Sequence, residues 1–190
     1  MAKHKIGGSI VLEGDKGYNQ ALKNIKSAHA ELRSEMKLAD ASFKDNKNSL
    51  EALQKKHEIL SKQVELQSDK VKLYEKAVSD SAKKEEEAAR KIDNLKEVLS
   101  SAEKKMSDME ESSDSTAEAM ESQQKVVDEL KSKLKLAEDG YDKAARKTES
   151  YQTSLNLANA TLKDMETELD STEVHMREAE QRTDKCAVSI

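Results

Sequence analysis

The sequence predicts an all-α protein: a long heptad-repeat coiled coil preceded by a short N-terminal extended segment. Three observations predict it. Ala, Glu, Lys, Leu and Arg supply 96 of the 190 residues, and proline and tryptophan are absent, which is the composition of long helices. Leu, Ile, Val and Phe total only 34, too few to offset the ordering entropy of a compact globular domain of this length. The third observation is a repeat of seven. With Leu22 as position a and Ile25 as d, counting without adjustment to residue 190 finds apolar residues at 37 of 49 a and d sites and at 22 of the other 120. That contrast excludes disorder. A strict seven-residue repeat winds helices into a left-handed supercoil, and one helix cannot bury so narrow a stripe alone.

Residues 1–17 hold four of the five glycines, at 7, 8, 14 and 17, around Ser9-Ile10-Val11-Leu12. The β-branched centre and glycine flanks predict a strand over 5–13 and a turn over 14–17. A first coiled-coil helix follows over 18–45, then a long coiled-coil rod over 46–190. Two soft spots interrupt it. At 44–49, Asn46 falls at d, and Asn48 with Glu51 has capping-box spacing. At 112–116, Ser113 and Thr116 fall in the stripe, and Ser115 with Glu118 repeats that spacing. The heptad phase passes both unchanged, which a true loop has no reason to preserve. The expectation is therefore a weak or kinked helix at each, with a hairpin as the alternative. Gly140 is a third soft position, costing about 1 kcal/mol against alanine.

The candidate oligomer seam comprises Leu22, Met36, Phe43, Leu50, Val64, Val71, Val78, Ile92, Leu99, Leu134, Leu155, Leu162 and Leu169 at a, with Ile25, Leu32, Leu53, Leu60, Leu95 and Leu130 at d. Polar residues interrupt it: His29 and His57 at a, and Asn46, Gln67 and Gln123 at d. These five are the candidate register-setting positions; the alternative for the amides is simple local weakness. A metal site or pH switch at the histidines is the less favoured reading beside a tolerated polar core residue. Glu85, at a, is expected to lean to the surface. Ala28, Ala77, Ala82, Ala89, Val98, Ala117, Ala119, Val126 and Ala145 fall at e and g. They widen the apolar stripe and favour three or more helices per cross-section, hence a parallel homo-oligomer, with a trimer favoured. Charge pairing from g to the following e is mixed: Lys70–Glu75 attracts, Lys91–Lys96 repels.

Other classes fall away. Cys186 is the single cysteine, so no internal disulfide or zinc cage of its own forms. No run of 18 apolar residues spans a membrane. Lys residues alternate with Glu and Asp in a chain of net charge −5, a solvated helix face rather than a surface for sequence-specific nucleic-acid binding. No Gly-rich phosphate loop or Ser/His/Asp arrangement is present, and His57 lacks the second histidine of a helical zinc-protease motif. The expectation is a non-enzyme without cofactors.

The opening Lys5-Ile6-Gly7-Gly8-Ser9-Ile10-Val11-Leu12-Glu13-Gly14, leading into a helix, resembles the start of tape measure proteins from tailed phages and prophages of Gram-positive bacteria. Ser34-Glu35-Met36 and the run Asn48-Ser49-Leu50-Glu51-Ala52-Leu53-Gln54-Lys55-Lys56-His57-Glu58-Ile59-Leu60 extend the similarity. Beyond residue 60 it rests on heptad texture that many coiled coils share. Proteins of that family are usually several hundred residues long, so the chain is expected to be an N-terminal portion. The resemblance implies a rod inside the tail tube that templates tube polymerisation, sets tail length and leaves ahead of the DNA. It implies the tail tube protein, tail assembly chaperones and tail-tip or baseplate hub proteins as partners. It places the chain in the lumen of the virion tail, and in the host cytoplasm during assembly. The alternatives are a generic coiled-coil scaffold or tether, and a helical-hairpin binding module.

Overall fold

The computed structural model describes residues 14–112 and 116–188. The chain is all-helical over them: α1 Gly14–Ser42, α2 Leu50–Glu111 and α3 Ala117–Val188. The strand expected over 5–13 lies outside the described residues. The turn expected over 14–17 is instead the first turn of α1. Glycine is well tolerated at a helix start, so Gly14 and Gly17 do not hold the helix off. The first helix ends at Ser42 rather than at 45.

The single rod over 46–190 does not form; α2 and α3 are separate helices, and their contacts run antiparallel. Each of the two soft spots ends one helix and precedes the next. At the first, Asn46 N–H donates to Phe43 O (2.9 Å) and Ser49 N–H to Asn46 O (2.9 Å). Ser49 then caps α2, its Oγ accepting from Ala52 N–H at 3.2 Å. The cap sits one residue beyond the expected Asn48. At the second, Thr116 caps α3, its Oγ1 accepting from Ala119 N–H at 3.2 Å. Ser, Asp, Asn and Thr side chains offer the backbone alternatives to the helix ladder. Both soft segments are rich in them, and preserved phase does not override that chemistry.

The chain divides into two compact units, Met1–Glu75 with Thr153–Ile190, and Lys76–Gln152. In the first unit, three helical segments pack together. Leu32 of α1 forms one buried cluster with Ile59 and Leu66 of α2, and Ala28, Met36 and Ala39 pack against it. The Tyr18 and Tyr74 rings meet edge-on, centroids 6.2 Å apart. These pairs run α1 antiparallel to the start of α2. The α3 segment closes on α2 through Gln67 Nε2 donating to Ala158 O (2.7 Å) and through the Lys56–Glu168 ion pair (2.9 Å). The three most deeply buried large side chains, Ile59, Leu60 and Gln67, all lie in this unit.

The second unit is a pair of helical segments. Gln123 Nε2 donates to Ala102 O (2.9 Å), Lys131 pairs with Glu103 (3.0 Å), and the Thr148 hydroxyl donates to Ser81 Oγ (3.0 Å). Ile92 and Val127 are buried, while Val98, Val126 and Leu136 remain exposed. With two helices instead of three, each stripe is covered from one side only.

Three substitutions test this packing. Ile59, 0% exposed, should lose about 2–5 kcal/mol on Ile59→Ala. Leu136→Ala, at a side chain 71% exposed, should change stability by less than about 0.5 kcal/mol. Gly140→Ala places a Cβ where nothing lies within 4 Å. It should stabilise α3 by about 1 kcal/mol. Urea unfolding of the three variants, monitored by circular dichroism, reads all of these effects.

Candidate functional site

The most distinctive chemistry lies where three helical segments of the first unit meet around Gln67. Helix α2 carries Gln67, 1% exposed, and its amide donates to Ala158 O on α3. A buried side-chain amide without a partner is costly, so this bond decides which residue of α3 can stand opposite. From α1, His29 reaches the same place and is 7% exposed. Its Nε2 is buried without a hydrogen-bond partner. Burial holds the His29 pKa below its ordinary value of 6.5, and the positive charges of Lys70 and Arg33 push it the same way, against the opposing effect of a hydrogen bond that its ring donates to Gln67. The Lys70 ammonium is also pushed down, by burial first and then by Lys26 and Arg33. The junction is therefore a buried polar knot under positive potential.

Gln123 does in the second unit what Gln67 does in the first. All four residues, Gln67 with Ala158 and Gln123 with Ala102, stand at d in the seven-residue count. In both units a glutamine faces an alanine, whose small side chain leaves the helix carbonyl open to the amide. The sequence marks Gln67 and Gln123 as register-setting; the structure adds the acceptor that each one uses.

The remaining sequence-predicted positions fall as follows. Ile25, Leu32, Leu53, Leu60, Val71 and Ile92 are buried. Leu22, Met36, Phe43, Leu50, Val64, Val78, Leu95, Leu99, Leu130, Leu134, Leu155, Leu162 and Leu169 are half-buried. Their burial comes from contacts within one chain, whereas the seven-residue count assigns them to a seam between copies. Asn46 is exposed in the turn between α1 and α2 and sets no helical register. His57 is half-buried, its Nε2 lying 3.3 Å from Glu173 Oε1. Glu85 is half-buried rather than turned outward, with the Tyr141 hydroxyl 3.5 Å from its Oε1; both stand at a.

Two further signals lie in the sequence off the main stripe. Ala52, Ile59, Leu66 and Leu73 recur every seven residues at position c and are all buried. This second stripe on α2 is the surface that α1 covers, and it ends at Leu73, beside the start of α1. The charges also carry direction. Parallel strands pair g with e, but Lys56–Glu168 joins g to g and Lys131–Glu103 joins e to e. Those are pairings of antiparallel neighbours. Both pairs are half-exposed and contribute little stability, so they report direction rather than cause it.

No family model, curated protein or solved structure matches this chain. Among the described residues, no three His, Cys, Asp or Glu side chains gather to hold a metal ion. Among them too, no helix is long and apolar enough to cross a membrane.

The buried imidazole gives a pH test. Because the native pKa of His29 lies below 6.5, the unfolded chain binds the proton more readily than the native one. The contribution of neutral His29 to the stability of the first unit is then full above about pH 6.5 and is lost as pH falls below it toward the depressed native pKa. The melting temperature should drop between pH 7.5 and pH 5 more steeply in the native chain than in His29→Leu. Parallel slopes for the two proteins would show that His29 does not carry the effect.

Proposed function

We propose that this chain is a structural, length-setting element of a phage tail or phage-tail-like particle, acting as a tape measure within the tube. The observation that carries the reading is the pairing of two uninterrupted helices of 62 and 72 residues with the resemblance of residues 5–14 and 48–60 to that family. A helix rises 1.5 Å per residue, so α2 and α3 laid end to end would measure roughly 200 Å. Length in residues becomes length in space only when the two helices follow one another along the tube. In this reading the folded-back arrangement is the free chain, and the coiled-coil stripe is shared with other helices once tube subunits assemble around it. The tube protein, the assembly chaperones and the hub at the tail tip are the proposed partners. The tail lumen, reached from the host cytoplasm, is the proposed location.

A second reading, a helical-hairpin binding module, draws support from the cross-helix bonds of Gln67 and Gln123. One deletion separates the two. Removing residues 64–98 takes out five whole heptads and keeps the phase. A tape measure lacking them should give tails shorter by roughly 50 Å in electron micrographs. Tails of unchanged length, or particles that assemble without this chain, would overturn the tape-measure reading in favour of the binding module.

A further inference from the structure

Helix α2 ends at Glu111, α3 begins at Ala117, and the bonds between them run antiparallel, yet the seven-residue count runs from α2 into α3 without adjustment. A hairpin makes no demand on that phase. Each arm can rotate about its own axis until its stripe faces the other, whatever the number of residues in the connection. The preserved phase is thus left without a purpose in the hairpin.

The bonds across the second unit suggest one. Gln123 bonds Ala102 O, Lys131 pairs with Glu103, and Thr148 bonds Ser81. Each joins α2 to α3, so each forms equally well between α2 of one copy and α3 of another. In such an exchange, α2 and α3 of one chain follow one axis and must turn their stripes toward the same neighbour. That arrangement requires the phase that the sequence keeps. The pairings also suit a twofold axis: d meets d and e meets e, so two antiparallel copies make every contact twice. A parallel pair would set Gln123 against Gln123 and leave Ala102 O without its amide.

We propose that two copies of this chain exchange α3 to form an antiparallel dimer, in which Gln123 of each copy bonds Ala102 O of the other. In the first unit the Gln67 bond to Ala158 O transfers in the same way. Exchange keeps the contacts between α2 and α3, gives up the reversal, and costs the entropy of bringing two chains together. High chain concentration therefore favours it. The inference goes beyond the tail reading and does not depend on it.

The test uses the full chain with Cys186→Ser, unfolded and refolded at several concentrations. One preparation carries Ala102→Cys and a second Gln123→Cys; the two are mixed before refolding and then oxidised. Sedimentation should show a species of two 21.2 kDa chains, and the disulfide should link the two different chains. Insertion between Ser112 and Ser113 tests the phase in chains without added cysteines. Two inserted alanines should weaken dimerisation by about tenfold or more and leave the melting of the monomer unchanged. Seven inserted residues should restore dimerisation. Monomer at every concentration would overturn the proposal, as would a dimer indifferent to both insertions. So would Ala102→Cys chains that link to each other, the mark of a parallel pair.

Discussion

An apolar stripe two positions wide in every seven is the constraint on which this structure rests. It is too narrow for a helix to bury by curling and too continuous to leave in water, so each helix needs another alongside it. Folding back supplies that neighbour at the high effective concentration of a short connection, whereas association must offset lost translational freedom. The turn at 43–49, and the end of α2 at Glu111 before α3 starts at Ala117, follow from that advantage. They fall where Ser, Asp, Asn and Thr already weaken the helix, and Ser49 and Thr116 cap the helices that restart. The stripe demands a partner, and the local chemistry decides where the chain bends to provide one.

Burial of apolar groups does not by itself fix how two such helices align. A slide of one heptad would leave most aliphatic contacts replaced by similar ones. The two glutamines forbid it. Slid by seven residues, Gln67 would face Tyr151 or Met165 instead of Ala158, and Gln123 would face Leu95 or Met109 instead of Ala102. A bulky side chain over the helix carbonyl would deny the amide its acceptor, leaving a buried polar group unsatisfied at about 1–3 kcal/mol. Gln67 and Gln123, which weaken the stripe in composition, therefore carry its cross-helix hydrogen bonds. His29 adds a conditional element, since its ring shares the Gln67 junction and resists protonation there.

The helical class was legible in the sequence because it depends on composition and period alone. Leu32, Leu60 and Ile92, which the count marks for a seam between copies, are buried within one chain. Direction was not legible from the same count, because a and d positions are identical in parallel and antiparallel pairs. It lay instead in Lys56 with Glu168 and Lys131 with Glu103, pairings visible only when g is compared with g and e with e. The c stripe of Ala52, Ile59, Leu66 and Leu73 was legible too. It escapes a search for the main stripe because a residue off that stripe is ordinarily solvent-facing. The acceptor of each glutamine was beyond sequence reasoning, since a helix carbonyl has no signature in the residue that bears it.

The two units differ in how firmly they hold the same chemistry. In the first, α1 covers a second face of α2, and Gln67 is sealed among three segments at 1% exposure. In the second, Gln123 is 9% exposed between two segments, and Val98 and Val126 remain at the surface. Local opening follows local burial, so the pairing within Lys76–Gln152 gives way before the three-segment packing does. The end of α2 and the start of α3 belong to that weaker unit. A chain that must part α2 from α3, whether to lie along a tube or to exchange with a second copy, meets its lowest barrier at the place where the heptad phase has been kept.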